Sequence, residues 1–228
     1  MSQPFRLNKE GLINRNKKIS FTFNGKKLFG YEGDTIASAL IANGIHLVGR
    51  SFKYHRPRGF FGAGVEEPNA KLQVEFNGHS EPNVNATEME LVEGLSATSQ
   101  NCWPSVNFDI GAINNFLKMF FPAGFYYKTF MWPKSFWYKI YEPFIRKAAG
   151  LGVASIEKDK ERYEHKFEYC DLLVTGSGPS GLASAYAAAK NGAKVILAED
   201  KPRFGGTLLT DDVSIDNLSG KDWAEKII

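Results

Sequence analysis

Residues 169–206 read YCDLLVTGSGPSGLASAYAAAKNGAKVILAEDKPRFGG, an order of residue types typical of a strand, a glycine turn, a helix and a second strand. The apolar run 172–174 predicts a buried parallel strand, and Gly176, Gly178 and Gly181 follow it with GxGxxG spacing. The first glycine permits a tight turn, the second lets the backbone approach a pyrophosphate, and the third lets the helix pack closely on the strand. Because a helix N-terminus attracts negative charge, the pattern predicts a dinucleotide site.

An acidic residue follows the second predicted strand. The alanine-rich helix ends near Asn191, and the apolar run 195–197 leads to Glu199. A carboxylate there accepts hydrogen bonds from the ribose 2′-hydroxyl and repels a 2′-phosphate, which disfavours NADP. Taken alone, Gly205 and Gly206 could form a plain turn; after Glu199 they resemble the second glycine element of flavoproteins with two dinucleotide domains. The glycine turn, Glu199 and this pair together favour FAD. Since FAD and NAD both carry adenosine and pyrophosphate, the pattern leaves NAD open as well.

The predicted cofactor-binding residues come from the glycine turn, the start of the helix, the acid and the double glycine. They are Gly176, Gly178, Pro179, Ser180, Gly181, Glu199, Gly205 and Gly206. No arrangement of hydroxyl, thiol, imidazole and carboxylate residues indicates a nucleophilic triad, and the four histidines lack the spacing of metal ligands. We therefore predict no catalytic residue and no metal site in this chain.

The first hundred residues predict a separate small domain that begins with a hairpin. Apolar and polar residues alternate over 19–23, and the turn Asn24-Gly25 joins this strand to a return strand at 28–31. A helix with an apolar face follows, capped at its N-terminus by Asp34 or Thr35.

Two more strands complete this prediction. Alternating apolar residues over 72–76 indicate a third strand, and Met89 and Leu91 suggest a further one. A hairpin, a helix and later strands in this order are typical of a β-grasp domain.

The loop of residues 49–70 lies where β-grasp ferredoxins carry the cysteines that hold their cluster. It contains no cysteine, which predicts a ferredoxin-like domain without an iron–sulfur cluster. Basic residues interleaved with aromatic ones occupy it instead, namely Arg50, Lys53, His55, Arg56 and Arg58. One interpretation is a solvated charged loop. The other is contact with an anion or an acidic face, such as a flavin phosphate or a partner subunit, because arginine pairs bidentately with phosphate and carboxylate.

Composition argues against several classes of protein. A net charge of +3 over 228 residues gives no argument for nucleic-acid binding. Two cysteines, Cys102 and Cys170, cannot build a disulfide framework, and no secretory signal is visible, so a cytoplasmic location is expected. The aromatic stretch 116–137 is interrupted by lysines and prolines, so no membrane span is predicted.

Three regions follow from these patterns, giving an α+β fold followed by an α/β fold. Residues 1–100 are predicted to form the β-grasp domain, 101–166 an aromatic-rich helical connector, and 167–228 the first βαβ unit of a Rossmann-like FAD/NAD-binding domain. Such a domain needs further parallel strands, which residues 207–228 are too few to supply. We therefore expect the chain to be the N-terminal portion of a longer protein rather than half of a sheet completed by another chain.

Several long segments resemble a known family. They are GRSFKYHRPRG (49–59), EPNA (67–70), PNVNATEMELVEGLSATSQNCWPS (82–105), PAGFYYKTFMWP (122–133) and IRKAAGLG (145–152). In content and order they are similar to the alpha subunits of heterotetrameric sarcosine oxidases. The resemblance implies a cluster-less ferredoxin-like domain, an aromatic connector, a dinucleotide-binding region that holds NAD, and a later folate-binding domain that lies outside this chain.

The resemblance also implies a reaction and partners. In that family sarcosine is oxidised by hydride transfer to FAD, electrons pass through FMN to dioxygen, and the products are glycine, hydrogen peroxide and formaldehyde or methylene-tetrahydrofolate. The implied partners are beta, gamma and delta subunits, with FAD and the small-molecule substrate on beta and FMN at the boundary of alpha and beta.

Two alternatives remain open at this point. The chain could belong to a related amine or amino-acid dehydrogenase of the opine, proline or cyanide-producing glycine type. It could also be a truncated, inactive product that serves as an interaction module.

Overall fold

The computed structural model describes residues 3–9, 11–120, 123–124, 130–148, 150, 152–158 and 162–228. The chain forms two compact units, Met1–Asp159 and Lys160–Ile228. Parts of the predicted connector, at 121–122, 125–129, 149, 151 and 159–161, lie outside the described residues.

A five-stranded mixed sheet forms the centre of the first unit. Its strands are β1 (Asn14–Phe23), β2 (Lys26–Glu32), β5 (Lys71–Phe76), β6 (His79–Asn85) and β7 (Ser96–Ser99), in the order β2-β1-β7-β5-β6. The central pair β1 and β7 is parallel, and the other pairs are antiparallel. Asn24 and Gly25 both adopt positive φ angles, of 48° and 77°, as a two-residue hairpin turn requires. The predicted hairpin and the β-grasp order of elements are confirmed.

One helix covers this sheet. Helix α1 (Ile36–Ala42) begins after Thr35, whose hydroxyl accepts a hydrogen bond from the Ser38 N–H while the Ser38 hydroxyl accepts one from the Thr35 N–H. These reciprocal bonds satisfy donors that the first turn leaves unpaired. Of the two predicted caps, Thr35 is the one observed. Asp34 is buried and pairs with Arg6 through two hydrogen bonds of 2.7 Å.

The core lies between α1 and the sheet. Its fully buried side chains are mainly aliphatic and come from the helix, the strands and the segment before β7: Ile36, Leu40, Leu72, Leu91 and Leu95. Burial of this apolar surface supplies most of the driving force for folding of the unit.

The predicted strand around Met89 and Leu91 is wrong. The Leu91 N–H donates to the Asp34 carbonyl at 2.8 Å, the Ile36 N–H donates to the Met89 carbonyl at 3.0 Å, and the bridge between Glu90 and Thr35 is an isolated one outside the strands. This segment therefore packs against the start of α1 and buries Leu91 without joining the sheet.

Two short strands, β3 (Gly49–Arg50) and β4 (Pro57–Arg58), pair antiparallel and bracket the basic loop. Beyond the sheet, the described part of the aromatic stretch contains 3-10 turns at Ile110–Asn115, Lys118–Phe120 and Lys134–Phe136, a π-helical turn at Trp137–Tyr141, and helix α2 (Glu142–Ala148). Among the described residues, no helix has the length and apolarity that crossing a membrane requires.

The second unit contains the predicted strand–turn–helix–strand. Strand β8 (Leu172–Thr175) pairs in parallel with β9 (Val195–Ala198), and helix α3 (Pro179–Lys190) connects them. Beyond β9 come the short strands β10 (Ser214–Ile215) and β11 (Leu218–Ser219) and helix α4 (Gly220–Ile227). A small core of Leu182, Leu208, Trp223 and Ala224 joins α3 to α4.

The prediction that β8 is buried is wrong for this chain. Leu172 is 36% exposed and Leu173 is 57% exposed. In this unit β8 and β9 form a two-stranded sheet, and α3 packs against both strands. Apolar strands of this kind are normally covered on both faces of a parallel sheet. The apolar pattern of β8 is therefore typical of a strand in a larger sheet than the two-stranded one seen here.

Candidate functional site

The glycine turn between β8 and α3 has the geometry that its spacing predicts. Gly176 adopts φ of 90°, a left-handed conformation that favours glycine. A Cβ on Gly181 would stand 2.0 Å from the Gly176 carbonyl oxygen, so the helix approaches the turn too closely for any side chain. Gly178 adopts φ of −63°, and a Cβ there would meet nothing within 4 Å. The turn thus requires glycine at position 176 and the close packing of the helix requires it at position 181. The fold of this chain does not require glycine at position 178.

The start of α3 faces the same turn. Gly178 is the N-cap, Pro179 occupies the first helical position, and no described residue caps the helix through its side chain. The N–H groups of Ser180 and Gly181 lie in the first turn, where no helical carbonyl is available to them. They are free to donate to an anion, and the helix dipole adds partial positive charge there.

Glu199, at the end of β9, points toward the glycine turn. Its Oε2 accepts hydrogen bonds from the Ser177 N–H, at 2.7 Å, and from the Ser177 hydroxyl. Its Oε1 accepts from the N–H groups of Asp200 and Lys201 at 3.0 and 3.2 Å. The predicted acid therefore lies next to the predicted turn, held in place by four donors from the chain.

These donors explain the acidity of Glu199. Hydrogen bonds from Ser177, the hydroxyl first, stabilise the ionised form and outweigh the opposing effect of burial, and further donors at Asp200 and Lys201 act in the same direction. Together they lower the pKa of Glu199 from 4.5 to about 2. The group is a carboxylate at neutral pH and acts as a hydrogen-bond acceptor for a hydroxyl.

The double glycine, Gly205 and Gly206, contacts the same glycine turn. The Gly205 N–H donates to the Ser177 carbonyl and hydroxyl oxygens at 3.1 and 3.2 Å. A Cβ on Gly206 would lie 2.9 Å from the Gly178 Cα, so the two glycine elements are in contact. The structure thus brings together every residue predicted for this site.

Ser177 is a residue of this site that the sequence pattern did not indicate. This residue is fully buried, and its backbone and hydroxyl connect the glycine turn with both Glu199 and Gly205. A small hydrogen-bonding residue between two glycines of the turn is a signal that could have identified it.

The basic loop is largely tied to its own chain. Arg50 donates from Nε and Nη2 to the Val106 carbonyl at 2.8 and 2.6 Å, from Nη2 to the Asn107 carbonyl at 3.3 Å and from Nη1 to the His55 carbonyl at 3.1 Å. His55 Nδ1 lies 2.6 Å from a carboxylate oxygen of Asp109, which is buried. Arg50 and His55 therefore anchor the segment that follows β7.

The remaining basic residues differ in their surroundings. Arg56 donates to the Asn115 side chain at 3.0 Å and stacks over Tyr54, and the Lys53 ammonium lies 5.0 Å from the centre of the same ring. Arg58 is exposed, and its guanidinium has no hydrogen bond or ion pair with any described residue. The interpretation of a uniformly solvated loop therefore fits Arg58 and not Arg50 or His55.

The loop that carries cluster ligands in ferredoxins is organised here by a carboxylate. Glu67 is 2% exposed, and its two oxygens accept hydrogen bonds from the N–H groups of Phe61, Gly62, Asn69 and Ala70 at 2.6, 2.6, 2.7 and 3.2 Å. Burial raises the pKa of Glu67, but these four bonds together outweigh it and hold the pKa below its usual value.

The residues present do not fit a [2Fe–2S] cluster. Such clusters are held by four cysteine or histidine ligands, and the chain has two cysteines, of which only Cys102 lies in the first unit. Among the residues that the structure describes, no group of three or more histidine, cysteine or acidic side chains could hold a metal. The backbone donors of the loop converge on Glu67, an internal anion.

Two known protein families match separate parts of the chain. Residues 16–102 match "2Fe-2S iron-sulfur cluster binding domain" and residues 171–224 match "FAD dependent oxidoreductase". The first match covers the β-grasp sheet and the second covers the glycine turn, the acid and the double glycine.

Two curated proteins resemble nearly the whole chain. Sarcosine oxidase subunit alpha of Rhizobium meliloti (strain 1021) is 57% identical over 96% of this chain and 22% of its own length. The protein of the same name from Corynebacterium sp. (strain U-96) is 31% identical over 100% of this chain and 19% of its own length. The chain thus spans about a fifth of the length of these relatives.

One solved structure resembles the chain in fold. The crystal structure of L-proline dehydrogenase from P. horikoshii matches 99% of this chain and 33% of its own chain, with a TM-score of 0.51 and 19% sequence identity. At this identity the likeness concerns the fold alone.

Proposed function

Because this chain belongs to the family of sarcosine oxidase alpha subunits over the residues it spans, we propose that it is the dinucleotide-binding portion of a subunit of a flavin-linked amine oxidoreductase. The observation that carries this proposal is the contact between the two glycine elements beside Glu199. Gly178 and Gly206 keep backbone exposed where a pyrophosphate can approach, and the free N–H groups of Ser180 and Gly181 supply donors for it.

The chemistry of the site suits an adenine dinucleotide. Glu199 accepts hydrogen bonds from the ribose hydroxyls and, as a carboxylate, repels a 2′-phosphate, so NADP is disfavoured. Both NAD and FAD present the same adenosine and pyrophosphate to these residues. The match to FAD dependent oxidoreductases supports FAD, and the resemblance of the whole chain to the alpha subunits supports NAD.

The substrate reaction is proposed to take place on a partner. No group of described histidine, cysteine or acidic residues could hold a metal ion, and the role proposed for this portion is to bind and position a cofactor. In the complete enzyme, a bound flavin would accept the hydride lost from the N-methyl group of sarcosine, and water and dioxygen would then yield formaldehyde, glycine and hydrogen peroxide. The proposed partners are beta, gamma and delta subunits, with FAD and FMN in the assembly and tetrahydrofolate bound by sequence outside these 228 residues.

The β-grasp unit is proposed to act as a scaffold without a cluster. Its single cysteine and the carboxylate at the centre of the loop support this role. The basic loop, through Arg50, Lys53, His55, Arg56 and Arg58, is proposed to lie near a flavin or the beta subunit. Arg50 and His55 would do so indirectly, by fixing the segment that the loop contacts.

The proposal is tested on the native oligomer that contains this chain. Amine-dependent dye reduction would be compared with sarcosine, L-proline and an opine as substrates, and nucleotides released by denaturation would be identified by mass. We expect sarcosine to be the best substrate, and we expect the oligomer to release NAD, or more FAD than one molecule per beta subunit.

Each other outcome points to a different function. Faster oxidation of proline or an opine would assign the enzyme to the related dehydrogenases instead of the sarcosine oxidases. A native species of this chain alone, with no dinucleotide and no amine oxidation, would identify an interaction module. Stoichiometric iron would contradict the scaffold role of the first unit.

A further inference from the structure

A cavity of about 230 Å³ opens in the first unit beside the basic loop. Its walls come from the β3–β4 pair, the start of β5, the middle of β6 and the residues just after β7. This volume is several times the ~30 Å³ that one water molecule takes in the liquid. The cavity is therefore large enough for a small organic molecule.

The walls of the cavity are positively charged. Arg50, Arg58 and Lys71 line it, and none of its described lining residues is acidic. The Arg50 donors are occupied by backbone carbonyls, and the Lys71 ammonium donates to Asn85 Oδ1 at 2.6 Å. Arg58 has no such partner among the described residues. An exposed guanidinium next to a second cation, without a carboxylate opposite, favours an anion.

Side-chain amides supply further donors. Asn83 Oδ1 accepts a hydrogen bond from the Gly152 N–H at 3.1 Å, which leaves its Nδ2 without a partner among the described residues. Asn69 also lines the cavity; Glu67 accepts its backbone N–H at 2.7 Å, and its side-chain amide has no hydrogen-bond partner among the described residues. The Glu67 carboxylate thus fixes the backbone of Asn69, and the contact with Gly152 fixes the side chain of Asn83, before any ligand binds.

An aromatic side chain forms one edge of the cavity. Phe52 lines it and is 54% exposed, so its ring offers an apolar surface next to the cations. A ligand with a phosphate and a planar body would use both features.

We propose that this cavity binds the phosphate group of a small phosphate monoester, with the Arg58 guanidinium as the principal contact and Lys71 as a second positive charge. This inference rests on the proposed role of the basic loop, and it is independent of the dinucleotide site in the second unit.

The test follows side-chain and backbone amide signals of the 15N-labelled 228-residue chain by NMR during titration with inorganic phosphate, phenyl phosphate, phenol and acetate. The proposal expects saturable shifts at Asn69 and Asn83 with both phosphates and none with phenol. If the natural ligand is a monoester, phenyl phosphate binds more tightly than inorganic phosphate; equal affinities would assign the cavity to the free ion.

Matched variants complete the test. Arg58→Gln should weaken phosphate binding roughly tenfold or more, because a charge-assisted contact is lost, and Lys71→Gln should weaken it less. Lys26→Gln removes the same charge at the tip of the β1–β2 hairpin and should leave affinity unchanged.

Equal affinities in Arg58→Gln and Lys26→Gln, or acetate shifts as strong as those with phosphate, would overturn the proposal, the latter in favour of a carboxylate from a protein partner. Signals of Gly176 and Gly178 report the second unit separately, so failure at one site does not count against the other.

Discussion

The Ser177 N–H donates a hydrogen bond of 2.7 Å to the Glu199 carboxylate, and this bond joins the glycine turn to the end of the second parallel strand. The Ser177 hydroxyl donates to the same oxygen and also accepts from the Gly205 N–H. One buried serine therefore fixes the positions of the turn, the acid and the double glycine relative to one another.

Replacement of Glu199 by glutamine should weaken dinucleotide binding roughly tenfold, because a charge-assisted acceptor for the ribose hydroxyls is lost. The measurement is the dissociation constant by calorimetry on the native protein. Asp212→Asn removes the same charge from an exposed position of the same unit and serves as the control. Equal affinities for the two variants would remove Glu199 from the site.

The pH dependence of this contribution follows from the pKa of Glu199. The folded pKa is depressed from 4.5 to about 2, so the contribution is complete above about pH 4.5 and declines as the pH falls toward 2. Dinucleotide affinity should therefore show no titration of this group between pH 5 and pH 8. A loss of affinity centred in that range, absent from Glu199→Gln, would contradict the assigned acidity.

Gly181→Ala should destabilise the start of α3 by about 1–3 kcal/mol, because its Cβ would overlap the Gly176 carbonyl oxygen. Amide hydrogen exchange of α3 measures the change directly. Unchanged protection of α3 in this variant would show that the helix can move away from the turn without cost.

Glu67→Gln should destabilise the first unit by about 1–3 kcal/mol, because the amide group turns donors toward N–H groups that have no other acceptor. Urea unfolding at pH 7 provides the measurement, and Glu75→Gln, at an exposed position of β5, is the control. Since the pKa of Glu67 is held below 4.5, the difference between wild type and Glu67→Gln should persist above that pH and shrink below it. Identical midpoints for the two variants at pH 7 would refute the role of Glu67.

Asp109→Asn should loosen the segment after β7, because Asp109 is buried, pairs with His55 and accepts the N–H groups of Trp103 and Gly111 at 3.0 and 3.1 Å. A loss of about 1–3 kcal/mol in hydrogen-exchange protection is expected around residues 110–115. Glu81→Gln, at an exposed position of β6, changes charge equally and should leave that protection intact.

Local patterns predicted much of this fold. Alternation over residues 19–23, the Asn24-Gly25 turn and the glycine spacing each depend on near neighbours in sequence, and the structure bears out all three. Strand β7 was missed because its sequence, SATS, has no apolar alternation, and its pairing with β1 and β5 depends on tertiary contacts.

Features that depend on long-range packing could not be read from the sequence. Glu66 and Glu67 are adjacent acidic residues of one loop, yet one is exposed and the other is enclosed by the N–H groups of the loop path. The same holds for Arg50 and Arg58, because Arg50 donates to the carbonyl groups of Val106, Asn107 and His55, whereas Arg58 has no such partner among the described residues. The predicted burial of β8 failed for a related reason, since burial depends on what covers a strand.

The most direct test of dinucleotide binding is the amount of NAD, or of FAD beyond one molecule per beta subunit, released per chain from Gly178→Ala, measured together with the thermal midpoint. A Cβ on Gly178 meets no atom within 4 Å and the backbone angle is ordinary, so the variant should keep its midpoint. The added methyl group would occupy the place where a pyrophosphate approaches the turn, so released dinucleotide should fall at least roughly tenfold. Wild-type dinucleotide content in a stably folded Gly178→Ala variant would contradict binding at this turn.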